Sequence, residues 1–144
     1  MSVKTKSRYT QDVRVAQFSF GFADTMVATD DSSKDFGAAD LTARAFDVIE
    51  LPPGAQVIGG QLAVTEAFDT AGYDVFVGDS GDTDRYMATA DVKAVGVTAL
   101  LAPGFTNPSG LPVRVTVATD DVCTTGAAIL TVMYVISGRA NEVA

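Results

Sequence analysis

The side chains best placed to do chemistry crowd into one short stretch. Gly78-Asp79-Ser80-Gly81 has the letters that surround the nucleophile of trypsin-like serine proteases. That reaction needs an imidazole to take the serine proton and a carboxylate to orient the imidazole. The chain contains no His, so the triad cannot be assembled. A Ser–Lys dyad stays formally open, but Lys4 and Lys6 lie near the start of the chain and Lys34 lies in an Asp-rich segment. The match reads as a coincidence of turn residues.

Asp79, Asp82 and Asp84, with Ser80 and Thr83 between them, form the second candidate. Closely spaced oxygen ligands suit Ca²⁺, and the carboxylates would repel one another without a cation. The spacing departs from an EF-hand loop, since the glycine comes too early and no bidentate Glu closes the set. The stronger reading is a solvated hairpin turn whose Asp side chains accept backbone amides while Arg85 pairs locally. These three aspartates are therefore weak metal candidates, and no cofactor is expected. Paired carboxylates for glycoside hydrolysis are available among 18 acids. Nearly all are Asp flanked by Gly, Ser or Thr, in turns and not along a cleft. With no Trp and four Tyr, sugar-stacking platforms are few. The one thiol, Cys123, excludes an internal disulfide and a thiolate zinc cluster, and reads as a buried free cysteine. No catalytic residue is assigned, and the chain reads as a non-enzyme.

The 144 residues (14.9 kDa) suit one domain with a core that needs no staple. Val and Thr are abundant while Glu and Lys are scarce, a bias toward strands. Hydrophobic residues reach 47%, too many for a disordered chain. No apolar run approaches a membrane span, and residues 1–10 lack the apolar core of a signal peptide. The net charge of −8 repels phosphate backbones, so neither nucleic acid nor membrane is expected as a partner. That charge is unevenly spread. Lys4, Lys6, Arg8 and Arg14 face Asp12 alone in residues 1–14, leaving that segment basic and the remainder strongly acidic. Residues 1–14 thus read as an extended basic arm able to reach a neighbouring subunit, and 15–144 as the folded body.

Period-two patterns supply the elements that hold these residues. Phe18, Phe20 and Phe22 alternate with small or polar residues, as do Tyr73, Val75 and Val77, and Val113, Val115 and Val117. Residues 24–41 are polar enough to read as a long surface loop, and 44–51 resume an extended pattern that Pro52-Pro53-Gly54 closes. In 55–68 the alternation puts Ile58, Gly60, Leu62, Val64 and Glu66 on one face, and Gly59-Gly60 signals a bulge or a close backbone approach. Residues 89–95 read as the one short helix, stopped by Gly96. Residues 127–136 are apolar on both faces, so that strand is covered by the core on one side and by another subunit on the other. Seven or eight strands without βαβ alternation give an all-β, single-domain antiparallel β-sandwich, jelly-roll-like in topology.

Two segments carry a family resemblance. Leu51-Pro52-Pro53-Gly54-Ala55-Gln56-Val57-Ile58-Gly59-Gly60, followed by the strand at Leu62 and Val64, resembles an LPxGAxVxGG segment of small virion structural proteins of tailed bacteriophages. The run from Val77-Gly78-Asp79-Ser80 to Asp84-Arg85-Tyr86, and a final strand closing on Gly138-Arg139, are similar too. The resemblance is to head decoration, or cement, proteins. It implies a homotrimer on the capsid surface, made in the host cytoplasm, that bridges major capsid protein subunits. Lys4, Lys6, Arg8 and Arg14 are then the partner-binding arm. The alternative of a different class is a tail or fibre β-sandwich module that binds a cell-surface glycan.

Overall fold

The computed structural model describes Val3 and residues 11–137. Those residues form eleven strands and no helix: β1 (Arg14–Gly21), β2 (Thr25–Val27), β3 (Ser33–Asp35), β4 (Arg44–Ile49), β5 (Ala55–Glu66), β6 (Tyr73–Asp79), β7 (Asp82–Asp91), β8 (Gly96–Ala99), β9 (Thr106–Asn107), β10 (Val113–Thr119) and β11 (Ala127–Ile136). One sheet runs β1-β11-β5-β8 with β9 beside β5, the other runs β4-β10-β6-β7, and β2-β3 is a separate hairpin. Every pairing is antiparallel. The expected all-β sandwich is the observed fold.

Each sheet turns one apolar face inward. Leu62, Leu130 and Val132 come from the first sheet, and Phe46, Val75, Val77, Val115 and Val117 from the second, all buried. Burying one such side chain contributes about 1.5–3 kcal/mol, so the interior of the sandwich dominates its stability. An aromatic relay ties the layers together. Phe20 lies 4.8 Å from Phe36, Phe36 lies 4.6 Å from Phe46, and Phe68 lies 4.4 Å from Tyr73, centroid to centroid. The Tyr73 hydroxyl donates to the Phe36 carbonyl at 2.6 Å, which satisfies the one polar atom in that relay.

Three local expectations are corrected. Residues 24–41 are not simply a surface loop: they hold the β2-β3 hairpin and deliver Phe36 and Leu41 to the core. Polar residues dominate the segment, but Ala28, Phe36 and Leu41 among its apolar residues are buried. Residues 89–95 are not helical. β7 continues to Asp91, with Ala90 and Val92 buried between exposed Thr89, Asp91 and Lys93. That is period two, and two turns of helix cannot repay nucleation against a sheet edge that offers ready partners. The Asp91 carboxylate then accepts the Lys93 amide at 3.0 Å and closes the strand.

The third correction concerns β5. Ala55 and Val57 are buried at one end and Leu62 and Val64 at the other, so the inward positions change from odd to even. The change happens at a bulge, where Tyr134 pairs with Val57 but Met133 pairs with Gly59. Ile58 is the extra residue and points out to solvent, away from Leu62 and Val64. The Gly59-Gly60 pair reports both a bulge and a close approach. Gly60 has φ of 137°, and a Cβ there would lie 2.1 Å from the Thr131 carbonyl oxygen. Gly60→Ala is expected to destabilise the fold by about 2–4 kcal/mol in urea or guanidinium denaturation, because strain and a backbone clash coincide. An unchanged midpoint would mean that the bulge tolerates a side chain.

Candidate functional site

The β6-β7 hairpin turns in two residues, with Asp79 paired to Asp82 across it. Asp79 is the one strongly buried member, at 1% exposure. Its Oδ1 accepts the amides of Gly81 at 2.9 Å and Asp82 at 3.0 Å, and Nη2 of Arg85 at 3.2 Å. Its Oδ2 accepts Nε of Arg85 at 2.7 Å. Oδ1 thus takes three donors and Oδ2 one, four bonds to a group that can accept about four. The guanidinium of Arg85 also lies 3.6 Å over the ring of Phe105, in the loop between β8 and β9. Hydrogen bonding to Asp79 holds the Arg85 pKa above its ordinary value.

Asp82 and Asp84 are brought together without Asp79. Both are exposed, and the Asp84 amide donates to Oδ1 of Asp82 at 3.4 Å. Hydrogen bonding to Asp82 and repulsion from its charge raise the Asp84 carboxyl above 3.8. Thus the three weak metal candidates divide into one carboxylate turned inward and two turned out. Among the described residues no group of three acidic, His or Cys side chains converges as ligands would. Ser80 is exposed at the turn. The expected turn, with Asp79 bonding amides and Arg85 pairing locally, is what the geometry shows. Cys123 is buried, and burial pushes its thiol pKa up, so it is a poor nucleophile at neutral pH.

Lys4, Lys6 and Arg8 lie outside the described residues. Arg14 opens β1, opposite Tyr134. Just before it, the Gln11 side chain donates to the Ile136 carbonyl at 2.8 Å and accepts the Ile136 amide at 2.9 Å, so an amide side chain prolongs the ladder.

The largest feature is a surface that inspection of single strands does not reveal. Outward positions of the first sheet carry Val15, Gln17 and Ser19 on β1, Ile129, Thr131 and Met133 on β11, Gln61 and Ala63 on β5, and Val97 and Ala99 on β8. No charged side chain interrupts that face until Glu66 at one corner. Val15 is 59% exposed and Val97 63%. The outer face of the other sheet carries the Arg114–Asp47 pair, Asp74 and Asp91. The double apolarity of 127–136 is one line of the uncharged face; β11 itself lies between β1 and β5, with its second face half open. Such a face has the composition of an interface core, where charge is depleted.

No protein-family model matches the chain, and no curated protein matches it. Solved structures do. A chain in the capsid asymmetric unit of cyanophage Pam1 superposes with a TM-score of 0.60 at 22% identity, covering 93% of this chain and 91% of that one. A chain in the acidic stable capsid of Helicobacter pylori bacteriophage KHP30 gives 0.60 at 20% identity, over 86% and 87%. A chain in the capsid of Ralstonia phage GP4 gives 0.53 at 16% identity, over 95% and 92%. At these identities the likeness is one of fold, and it extends over nearly the whole body.

Asp79→Ala is expected to lower stability by about 2–3 kcal/mol, since it strands two amides and a half-shielded guanidinium. Equal loss from Asp82→Ala, in the same denaturation experiment, would refute the division of roles. For Asp84 the sign runs the other way. Its folded pKa is raised, so its charge destabilises the fold at neutral pH, and that penalty fades as pH falls through the raised value toward 3.8. Asp84→Asn is therefore expected to be more stable than the parent at pH 7 and equal to it below pH 3.8.

Proposed function

We propose that this chain is a structural component of a bacteriophage head, without catalytic activity. The carrying observation is the fold shared with three phage capsid chains along at least 86% of this chain. Within the head it acts as a decoration or cement protein, bound outside the shell and bridging major capsid protein subunits. The sequence resemblance of segments 51–60 and 77–86 favours that position. The uncharged face of the first sheet supplies a broad contact that needs no charge matching, and the resemblance favours three copies meeting there. The basic arm supplies a second contact on acidic neighbours. Four of the body's cations, Lys34, Arg44, Arg85 and Arg114, are already paired with aspartates. The arm is therefore the main store of positive charge for binding elsewhere.

The mechanism is one of repeated modest contacts. A packaged genome strains the seams between subunits, so a cement protein binds across a seam and its binding energy opposes opening. Each exposed Lys or Arg contact is worth about 0–1 kcal/mol, which makes one arm weak. An oligomer holds several arms near their sites at high effective concentration.

The deciding experiment is cryo-electron microscopy of purified particles, with mass spectrometry for copy number. The chain is expected on the outer capsid surface in numbers comparable to the capsid protein. Absence from heads, or a position on tails with glycan binding, would overturn the reading. Deleting residues 1–10 is expected to leave the sandwich folded and weaken binding to undecorated particles by roughly tenfold at low salt. The deficit should close as salt screens the arm, with a Debye length of about 8 Å in physiological buffer. Unchanged affinity at low salt would assign binding to the body alone.

A further inference from the structure

Sheet edges offer unpaired backbone groups, and proteins that stay apart protect theirs with charge, proline or brevity. Of the four strands that end the β1-β11-β5-β8 and β4-β10-β6-β7 orders, three follow that rule. β7 carries Asp82, Asp84, Arg85 and Asp91, β4 carries Arg44 and Asp47, and β8 is four residues long. β1 breaks it. Eight residues long, it pairs only with β11 among the described strands, and from Val15 to Gly21 it has no charge and no proline. Val13 and Val15 are at least half exposed beside that edge.

The ends of β1 differ in charge. Arg14 opens the strand, and among the described residues no carboxylate forms an ion pair with it. Asp24 lies just past the far end, with Oδ2 accepting the Gly21 amide at 2.7 Å, and among the described residues no cation forms an ion pair with it. An open groove of about 470 Å³ runs between β1 and the β2-β3 hairpin, lined by Phe18, Phe20, Met26, Phe36 and Asp24. Phe20 and Phe36 form its closed floor, while half-buried Phe18 and the exposed Asp24 carboxylate are open to an incoming group, and a ring beside a carboxylate suits a guanidinium.

We infer that β1 pairs antiparallel with β1 of a second copy, so that each Arg14 enters the other's groove and meets Asp24. With the two-fold axis at Gln17, Arg14 stands opposite Phe20 of the partner copy and Val15 opposite its Ser19. Arg14 has the same facing parity as Phe18 and Phe20, so its side chain projects to the groove side of the sheet. The symmetry makes the contact twice, and cation meets anion at both ends. No like charges are opposed along the seam, which matters for two chains that each carry −8. The first sheets of the two copies become one, and their uncharged faces merge. The seam is distinct from the contact proposed for the capsid and joins copies in pairs, whatever shell they decorate.

The test uses the full-length chain. Light scattering or sedimentation equilibrium should show a reversible dimerisation step. Arg14→Glu or Asp24→Arg alone should weaken that step by about tenfold or more, and the double reversal should restore it. Gln17→Cys should give a disulfide-linked dimer on mild oxidation, because the two residues face each other at the axis while Cys123 is buried. Mixed Val15→Cys and Ser19→Cys chains should cross-link to each other and not to themselves. A strictly monomeric chain, or an oligomer indifferent to both reversals with no Gln17→Cys cross-link, would overturn the inference. Particle binding measured on Asp24→Arg and Gln17→Cys, which lie outside the basic arm, separates this seam from the capsid role, since either can fail without the other.

Discussion

β5 must serve two ends of one core with a single strand, and a regular strand of twelve residues has no means of doing so here. Its partner β11 keeps one parity throughout, with Ala128, Leu130 and Val132 facing inward and Tyr134 and Ile136 in line with them. On β5 the apolar residues change parity between Val57 and Leu62. Only an inserted residue reconciles the two, and the chain inserts Ile58 where Gly59 and Gly60 let the backbone close up. Thr131 sits hard against Gly60, so the glycine is a condition of the β5-β11 ladder, which in turn sets β1 on its far side. The bulge also frees Ile58 to join the outer surface. One device thus completes the core and adds to the uncharged face.

That face and the charged remainder divide the molecule by chemistry. Net charge keeps bodies soluble and apart, whereas a neutral face can be desolvated without stranding an ion. The aspartates that serve structure are inward or occupied: Asp79 holds a turn, and Asp69 accepts the amides of Thr124 and Thr125. Others line loops and the second sheet, where water covers them. Confining attraction to chosen surfaces gives selectivity, because repulsion elsewhere penalises wrong arrangements.

The long strands were legible because half-buried strands alternate, as Val113, Val115 and Val117 do against the second sheet's neighbours. The bulge was legible as a glycine pair, but its consequence was not, since a parity change shows only when the partner strand is known. β2 and β3 were hidden because three-residue strands have too few periods to be seen, and Phe36 owes its burial to Phe20 and Phe46, distant in sequence. Residues 89–95 misled because Thr, Ala and Asp near a Gly resemble helix-boundary chemistry, while tertiary pairing with β6 decided the outcome. The Asp79–Arg85 clasp was readable from local spacing. Phe105 over Arg85 was not, as it comes from another loop.

The uncharged face shows why such surfaces escape a linear reading. On β1 the outward residues are Val, Gln and Ser, on β5 Gln and Ala, on β8 Val and Ala, and no one of these strings is unusual. Exposed apolar residues taken singly are common on any protein. Only the strand order β1-β11-β5-β8 brings them side by side, and order comes from connections that periodicity does not encode. The converse also holds. Once the order is known, the lack of charge at the outward positions of four adjacent strands, Glu66 at the corner apart, is a constraint on the sequence that the core does not impose, since outward side chains make no core contact. Solubility alone would favour Lys or Glu there, as on most antiparallel sheets with one wet face. The pattern is therefore best explained by a covered surface.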